Sequence, residues 1–388
     1  MINIKILICV YEYPPYTSGT GNVAYNIAKQ FNKLGHDCTI CSPIGPDIKI
    51  CNENIIKKIF HNRPLYYLYG ILYFSYEVRK YIQKKSNKYD IIWLNSINPL
   101  VFPIKKIKCR KIILTFHSTY HGFNKGLTHV FVNKIYYKIM ARLERLNLNR
   151  FNNVTLFSGV SAQTCKELEE IGINKEKIIY IPNGVDTKRF KPVTNKKLLR
   201  NKFRIPENDL IILSVGRLTE QKQPLKLIEI FSILETEMEN ITLVIAGRGE
   251  LLSDMKNFVK LNNIKHIKFI GYVAENDMQD LYACSNFFII SSSYEGQPLT
   301  LLEAISSGLS CIVSDIPNLR IVDYANCGLV VDFSDVEKAS QKIIEYIKQD
   351  NSNHAKNARK YAEENLDWEI IGRKYLEELN KSEKNDYI

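Results

Sequence analysis

Short, almost purely apolar runs recur along this chain, and each passes through a loop into a helix-period pattern. Residues 4–10, 89–94, 111–116, 157–160, 178–181, 210–216, 242–246, 267–270, 286–290 and 309–313 are such runs. They do not alternate apolar with polar, so they read as strands buried on both faces, which is how parallel sheets covered by helices look in sequence. The opening unit is typical. A strand at 4–10 meets a loop at 11–20 carrying Pro14, Pro15 and Gly19, then a helix at 22–34 stopped by Gly35, then a strand at 38–41. The loop bears glycine but holds no G-x-G-x-x-G, so nicotinamide binding gains little support. An aromatic helix is expected at 65–85, one long helix at 125–150, and a helical tail at 336–380 in which Trp368 breaks the polar pattern. A turn at 183–186 separates two such series. The fold class is therefore α/β with two domains of alternating strand and helix.

Bulk properties bound the function. Of 388 residues, 53 are Lys or Arg and 41 Asp or Glu, a net charge of +12. The excess is confined to residues 1–190, with 28 basic against 12 acidic side chains; residues 191–388 carry 25 against 29. A basic half fits an anionic membrane face or a phosphorylated acceptor, and equally a merely soluble surface. The nine cysteines are scattered; Cys38 and Cys41 have half the spacing of a zinc site, but no second pair follows. Buried free thiols and a cytoplasmic protein are expected. The apolar start is too short for a signal peptide, and the tyrosine-rich stretch 65–76 is too short to span a bilayer.

The stretch 291–303, Ser-Ser-Ser-Tyr-Glu-Gly-Gln-Pro-Leu-Thr-Leu-Leu-Glu, carries the most chemistry. It follows the run 286–290 and turns through Gly296 and Pro298 into a helix stopped at Gly308. Pro298 suits a first helical position. Backbone N–H groups from Gln297 through Leu299 and Thr300 to Leu301 then lie at a helix start, where anions bind. Glu295 and Glu303 flank that start. Carboxylates beside an anion site make sense when the ligand carries both phosphates and sugar hydroxyls. Arg217 and Lys222, in the loop after the run 210–216, suit a diphosphate, Arg as a fork and Lys as a point charge. No Asp-x-Asp pair is present to hold a metal. Each residue alone has a plainer explanation. Arg217 or Lys222 can be a solvated charge, Glu303 can simply favour the helix dipole, and His117, at a strand's carboxyl end, can be a satisfied loop histidine.

With these residues in place the chain resembles glycosyltransferase family 4, over about residues 14–368. The matching motifs are Pro14-Pro15-x-x-Ser18-Gly19, His117 after a strand, Asn183-Gly184-Val185-Asp186 with Phe190, Val215-Gly216-Arg217-Leu218 with Lys222, Gly247-x-Gly249, and Glu295-x7-Glu303. The resemblance implies a GT-B fold: two Rossmann-like domains facing across a cleft, an acceptor-side domain at 1–190, a nucleotide-sugar domain at 191–365, and a helix from 366–388 crossing back. It implies a retaining, metal-independent transfer of a hexosyl or N-acetylhexosaminyl group from a nucleotide-diphosphate sugar to a glycan or lipid-linked acceptor, with no cofactor and no nucleic acid. By position, Gly19 approaches the diphosphate and acceptor, Arg217 and Lys222 bind the diphosphate, and Gly247 lies on the base side. Glu303 binds the ribose, Glu295 with the backbone of Gly296 to Leu299 holds the sugar, and His117 sits near the reacting carbon. The chain departs from the family pattern at Ser18-Gly19, Lys222-Gln223 and Gly249-Glu250, none of which removes a charged group.

Two other functions fit the same residues. A nucleotide-sugar epimerase would turn over donor without an acceptor, and a non-catalytic scaffold would only bind it. Acceptor choice is expected in the loops near 11–20, 60–75 and 117–130, with peripheral membrane contact through the basic first half and the helix 65–85.

Overall fold

In the computed structural model the chain divides into two compact units, Met1–Asn183 with Trp368–Ile388, and Gly184–Asp367. The structure describes residues 3–14, 19–43, 46–49, 64–95, 107–126, 131–148 and 154–381, by backbone alone at 64–69, 71 and 131–134.

The first unit holds a seven-stranded sheet. Its strands are β1 (Lys5–Val10), β2 (Asp37–Ser42), β3 (Ile48–Lys49), β4 (Ile91–Asn95), β5 (Lys111–Phe116), β6 (Leu156–Gly159) and β7 (Ile178–Tyr180). The order is β3-β2-β1-β4-β5-β6-β7, and the pairings are parallel. Its helices include α1 (Gly19–Lys33), α2 (Pro64–Lys85), α3 (Tyr120–Gly126), α4 (Phe131–Leu148) and α5 (Ala162–Ile171). Helix α1 starts at Gly19, before the expected 22, because buried Gly21 continues the face made by Val23, Ala24, Ile27 and Phe31. Packing there outweighs glycine's poor helix propensity. The long helix expected over 125–150 is α4, described from Phe131 to Leu148, and a separate short helix, α3, precedes it, with 127–130 outside the described residues. They lie against each other, with Phe123 stacked on Tyr137 at 5.1 Å, and Glu144 of α4 accepts the backbone N–H of His121 in α3 at 3.1 Å. Helix α2 is as expected, and buries Phe74, Val78 and Ile82 at four-residue spacing in the core.

The second unit holds a six-stranded sheet in the order β10-β9-β8-β11-β12-β13. The strands are β8 (Leu210–Val215), β9 (Ile241–Ala246), β10 (Ile267–Gly271), β11 (Phe287–Ile290), β12 (Ser310–Ser314) and β13 (Gly328–Val331). All of these pairings are parallel. The helices are α6 (Lys197–Lys202), α7 (Pro224–Glu237), α8 (Leu252–Leu261), α9 (Glu275–Ala283), α10 (Leu299–Ser306), α11 (Ile321–Tyr324), α12 (Val336–Ile347) and α13 (Ser352–Asn365). Ile211 and Leu213 enter one apolar cluster, and Ile212 between them enters another. Both faces of the sheet are therefore covered, which is what the unbroken apolar runs require.

The last helix, α14 (Trp368–Lys381), belongs to the first unit. Tyr375 packs on Trp93 at 5.3 Å and on Phe31 at 6.4 Å. A Cβ at Gly372 would lie 2.7 Å from Cβ of Gln30, so the glycine lets α14 press against α1. Strand order reverses between β1 and β4 in one sheet and between β8 and β11 in the other. The carboxyl ends of strands open into a crevice at such a switch point, where α/β sheets bind ligands.

Candidate active site

The second unit's switch point is built from two loops. After β8 the chain runs through Gly216, Arg217 and Leu218 into a tight turn at Glu220–Lys222; Gln223 takes a left-handed φ of 47° and Pro224 opens α7. After β11 it runs from Ser291 to Pro298. The loops are lashed together. Ser293 N donates to the Gln221 carbonyl at 2.9 Å, Gln221 Nε2 to the Tyr294 carbonyl at 2.7 Å, and Ser291 Oγ to the Lys222 carbonyl at 2.8 Å. Between them lies a small cavity of about 30 Å³, lined by the apolar side chains of Leu227, Ile245, Met255 and Ile289 and by Gly216, Arg217, Lys222, Ser291, Ser292 and Thr300.

Thr300 brings the start of α10 to that cavity. Pro298 holds the cap position, with an extended ψ of 126°, and Leu299 is the first helical residue. This is one position later than the sequence pattern implied. A cap must leave the helical region, and the loop's extended entry fixes Pro298 there instead. No side chain caps the helix. Leu301 N donates back to the Pro298 carbonyl at 3.1 Å, and the N–H groups of Leu299 and Thr300 before it give the helix start its partial positive charge. Gln297 is buried beside it, Gly296 half-buried.

The charged groups divide sharply. Arg217 is exposed, and its guanidinium has no hydrogen bond or ion pair among the described residues. Lys222 Nζ is bonded to Oε1 of Glu295, and these side chains are 23% and 7% exposed. Ser292 Oγ donates to the same Oε1 at 2.6 Å. Both bonds fall on one carboxylate oxygen, so Oε2 keeps its lone pairs. Glu303 has different surroundings. Burial pushes its carboxyl up to about 7; the Tyr282 hydroxyl pulls it down, Glu275 raises it and Arg189 lowers it. Arg189 is itself held by Glu275 at 2.7 Å and by Gln279 at 3.0 Å. So the structure joins Lys222 with Glu295, and sets Glu303 apart from both.

Gly247 follows β9 at a φ of +146°, and a Cβ on it would lie 1.8 Å from the Gly216 carbonyl oxygen. Gly249 has the same need, with the Leu218 oxygen 2.2 Å from its would-be Cβ. Leu218 N donates to the Arg248 carbonyl at 2.9 Å. The two glycines therefore let the β9 loop carry the backbone of the β8 loop on which Arg217 stands. The motif Gly247-x-Gly249 has a packing reason here, whatever it does toward a base.

The first unit's switch point carries Gly19 and His117. Gly19 is exposed, and is the first residue of α1 rather than part of a loop. His117 directly follows β5, half-buried. Its Nε2 is 2.7 Å from Oδ1 of Asn95, and Asn95 Nδ2 donates to the Thr20 carbonyl at 3.0 Å. Burial lowers the ring's pKa to about 4, so it is neutral at neutral pH. Asn95 was missed by sequence reasoning. Its signal was a polar residue closing an otherwise apolar strand.

Among the described residues, no cluster of His, Cys, Asp and Glu is arranged to hold a metal ion. No helix among them is long and apolar enough to cross a membrane. The described cysteines are free.

Residues 195–365 match the model of glycosyl transferases group 1, and residues 17–189 match that of Glycosyltransferase Family 4. UDP-Gal:alpha-D-GlcNAc-diphosphoundecaprenol alpha-1,3-galactosyltransferase of Escherichia coli is 31% identical over 65% of this chain and 65% of its own length. Alpha-galactosylglucosyldiacylglycerol synthase of Streptococcus pneumoniae is 26% identical over 60% of this chain and 64% of its own. The chain thus spans just under two thirds of the length of these curated relatives. In fold it is similar to Anabaena HepE, solved in complex with UDP-glucose, with a TM-score of 0.72, 18% identity and coverage of 98% of this chain and 100% of that one. Two parallel-sheet units and family matches that take in residues 17–189 and 195–365 place this chain in glycosyltransferase family 4, with the GT-B fold.

Proposed function

We propose that this chain is a glycosyltransferase that takes a nucleotide-diphosphate sugar as donor and passes a hexosyl or N-acetylhexosaminyl group to a glycan or lipid-linked saccharide. The observation that carries this reading is the cavity shared by Arg217, Lys222 and the uncapped start of α10. Three positive elements at one switch point suit a diphosphate. The name of one relative favours a UDP-sugar and an acceptor on diphosphoundecaprenol, and that of another a diacylglycerol glycolipid.

The chemistry then needs little from side chains except charge. The bond from the anomeric carbon to the diphosphate breaks as the acceptor oxygen bonds that carbon from the same face, and the acceptor's proton passes to the departing diphosphate. Arg217, Lys222 and the α10 start stabilise the charge that develops on the leaving group. A nucleoside diphosphate so stabilised needs neither a general acid nor a metal. Glu295 turns its free Oε2 to the sugar hydroxyls, and Glu303 takes the ribose. A glycosidase would need a carboxylic acid to protonate its leaving oxygen and a second carboxylate as base or nucleophile, whereas Glu295 is held by Lys222 and Ser292 beside the leaving-group site.

The test is a panel of UDP-, GDP- and ADP-sugars in EDTA, read by thermal shift and then with saccharide-lipid acceptors by mass. One donor at a hundred times its Kd should stabilise the protein by about 2.7 kcal/mol, and the acceptor should gain one sugar mass with the anomeric configuration kept. Donor conversion without acceptor would point to an epimerase, and binding without turnover to a scaffold. Loss of activity in EDTA would overturn metal independence.

We also propose contact with an anionic membrane face, through α4. Phe74, Val78 and Ile82 of α2 go to the core, whereas Ile135, Ile139, Leu143 and Leu146 of α4 are exposed by 38–55%. Lys138, Arg142 and Arg145 are exposed beside them. An apolar stripe flanked by cations lies well on anionic lipid. Sedimentation with phosphatidylglycerol vesicles should be strong at low salt, weaker at high salt and abolished by I139E/L146E; no sedimentation at low salt would sink the idea.

A further inference from the structure

Asn95 closes β4 with no exposed surface, and its two amide ends face different partners. Nδ2 donates to the Thr20 carbonyl, in the first turn of α1, at 3.0 Å. Oδ1 is 2.7 Å from Nε2 of His117, which follows β5. The first contact decides the second. A carbonyl can only accept, so the NH2 end of the amide must face Thr20, and the oxygen must face the ring. An amide oxygen only accepts, so Nε2 must carry hydrogen. A neutral imidazole has one N–H, which leaves Nδ1 with its lone pair. Nδ1 makes no hydrogen bond to any described residue.

We infer that Asn95 is a positioning residue that locks His117 in the Nε2–H tautomer, so that Nδ1 accepts a hydrogen bond from a hydroxyl of the bound substrate. The opposite tautomer would present an N–H at Nδ1, suited to a phosphate oxygen. The Asn95 clamp therefore assigns His117 to a hydroxyl-bearing ligand, and leaves phosphate to other groups. Naming that hydroxyl as a sugar's rests on the transferase reading; the tautomer does not. Burial favours the neutral ring that the clamp requires. The three groups also join the starts and ends of α1, β4 and β5 at the switch point of the sheet, so the lock holds wherever that sheet is folded.

The tautomer can be read without substrate. Long-range 1H–15N spectra of 15N-histidine-labelled protein at neutral pH, with His117 assigned by the H117Q variant, should show a protonated Nε2 and an unprotonated Nδ1. A protonated Nδ1 overturns the inference. In N95L, which keeps the size of the side chain and removes both bonds, the ring should become a mixture of tautomers. An unchanged spectrum in folded N95L shows that Asn95 is not the lock. Should N95L not fold, N95D keeps an acceptor against Nε2; it should retain the tautomer and raise the ring's pKa by at least one unit, a carboxylate favouring imidazolium, and a pKa left in place overturns the contact. The expected spectrum in a protein that binds no nucleotide sugar would support the lock and sink the transferase reading. The opposite tautomer in an active transferase would sink the lock alone.

Discussion

Arg217→Ala is expected to lower turnover by about 10²–10³-fold and to leave the melting temperature unchanged. The two halves of that statement come from the same observation. Arg217 is exposed and has no partner among the described residues, so the folded protein loses nothing when it goes. Its charge is used only when a diphosphate is leaving. Lys222→Ala is expected to lower turnover comparably, but with a fall in stability. Its ammonium is the cation beside the buried Glu295 carboxylate, and removing it leaves that carboxylate with Ser292 alone. An unpaired buried group of this kind costs about 1–3 kcal/mol, toward the lower end because Lys222 is partly exposed. In a unit of this size each kcal/mol moves the melting point by about 2–4 °C. A double variant, K222M/E295Q, should recover the stability, since a neutral pair has no stranded charge, and should not recover turnover. Kinetics at saturating donor and acceptor beside calorimetry would check all three. Wild-type turnover in Arg217→Ala would falsify the diphosphate assignment.

The two-sheet architecture was legible because a parallel strand buried on both faces must be apolar at every position, and β8, β9, β11 and β12 nearly are. The cavity was legible in parts, through the charges at Arg217 and Lys222 and the Gly-Gln-Pro turn into α10. Its wiring was not. Lys222 and Glu295 are 73 positions apart, and nothing local to either says which of several charges it meets. Asn95 was invisible for a related reason. A single polar residue at a strand end has no period and no motif, and its meaning comes from Thr20 and His117, on two other elements. Helix α3 was not legible because Gly122 and Gly126 weaken its local propensity; it is held by packing against α4, a tertiary preference that outweighs local propensity. The start of α1 at Gly19 shows the opposite case, a residue of poor propensity taken into the helix by the packing of its neighbours.

Gly247→Ala is expected to be the costliest single-methyl change in the second unit, on the order of 4 kcal/mol, which is exceptional for one substitution and needs a named cause. Two causes act together. The backbone φ of +146° is one that side chains rarely adopt, a strain of about 1–3 kcal/mol. The new methyl would also stand 1.8 Å from the Gly216 carbonyl oxygen. Neither strand can retreat easily, since Gly216 N is bonded to the Ala246 carbonyl at 3.0 Å and Gly247 N to the Gly271 carbonyl at 2.7 Å. Gly271→Ala separates the causes. Gly271 has a φ of +69° and nothing within 4 Å of its would-be Cβ, so it carries strain without collision and is expected to cost only about 1 kcal/mol. Urea midpoints at a common m-value measure both. The collision also predicts a functional difference, because relief at Gly247 must move Gly216 and with it Arg217. Donor affinity should therefore fall in Gly247→Ala under conditions where it is still folded, and stay at the wild-type value in Gly271→Ala. Equal midpoints for the two variants would mean that the β9 loop does not bear on the β8 loop as the geometry requires.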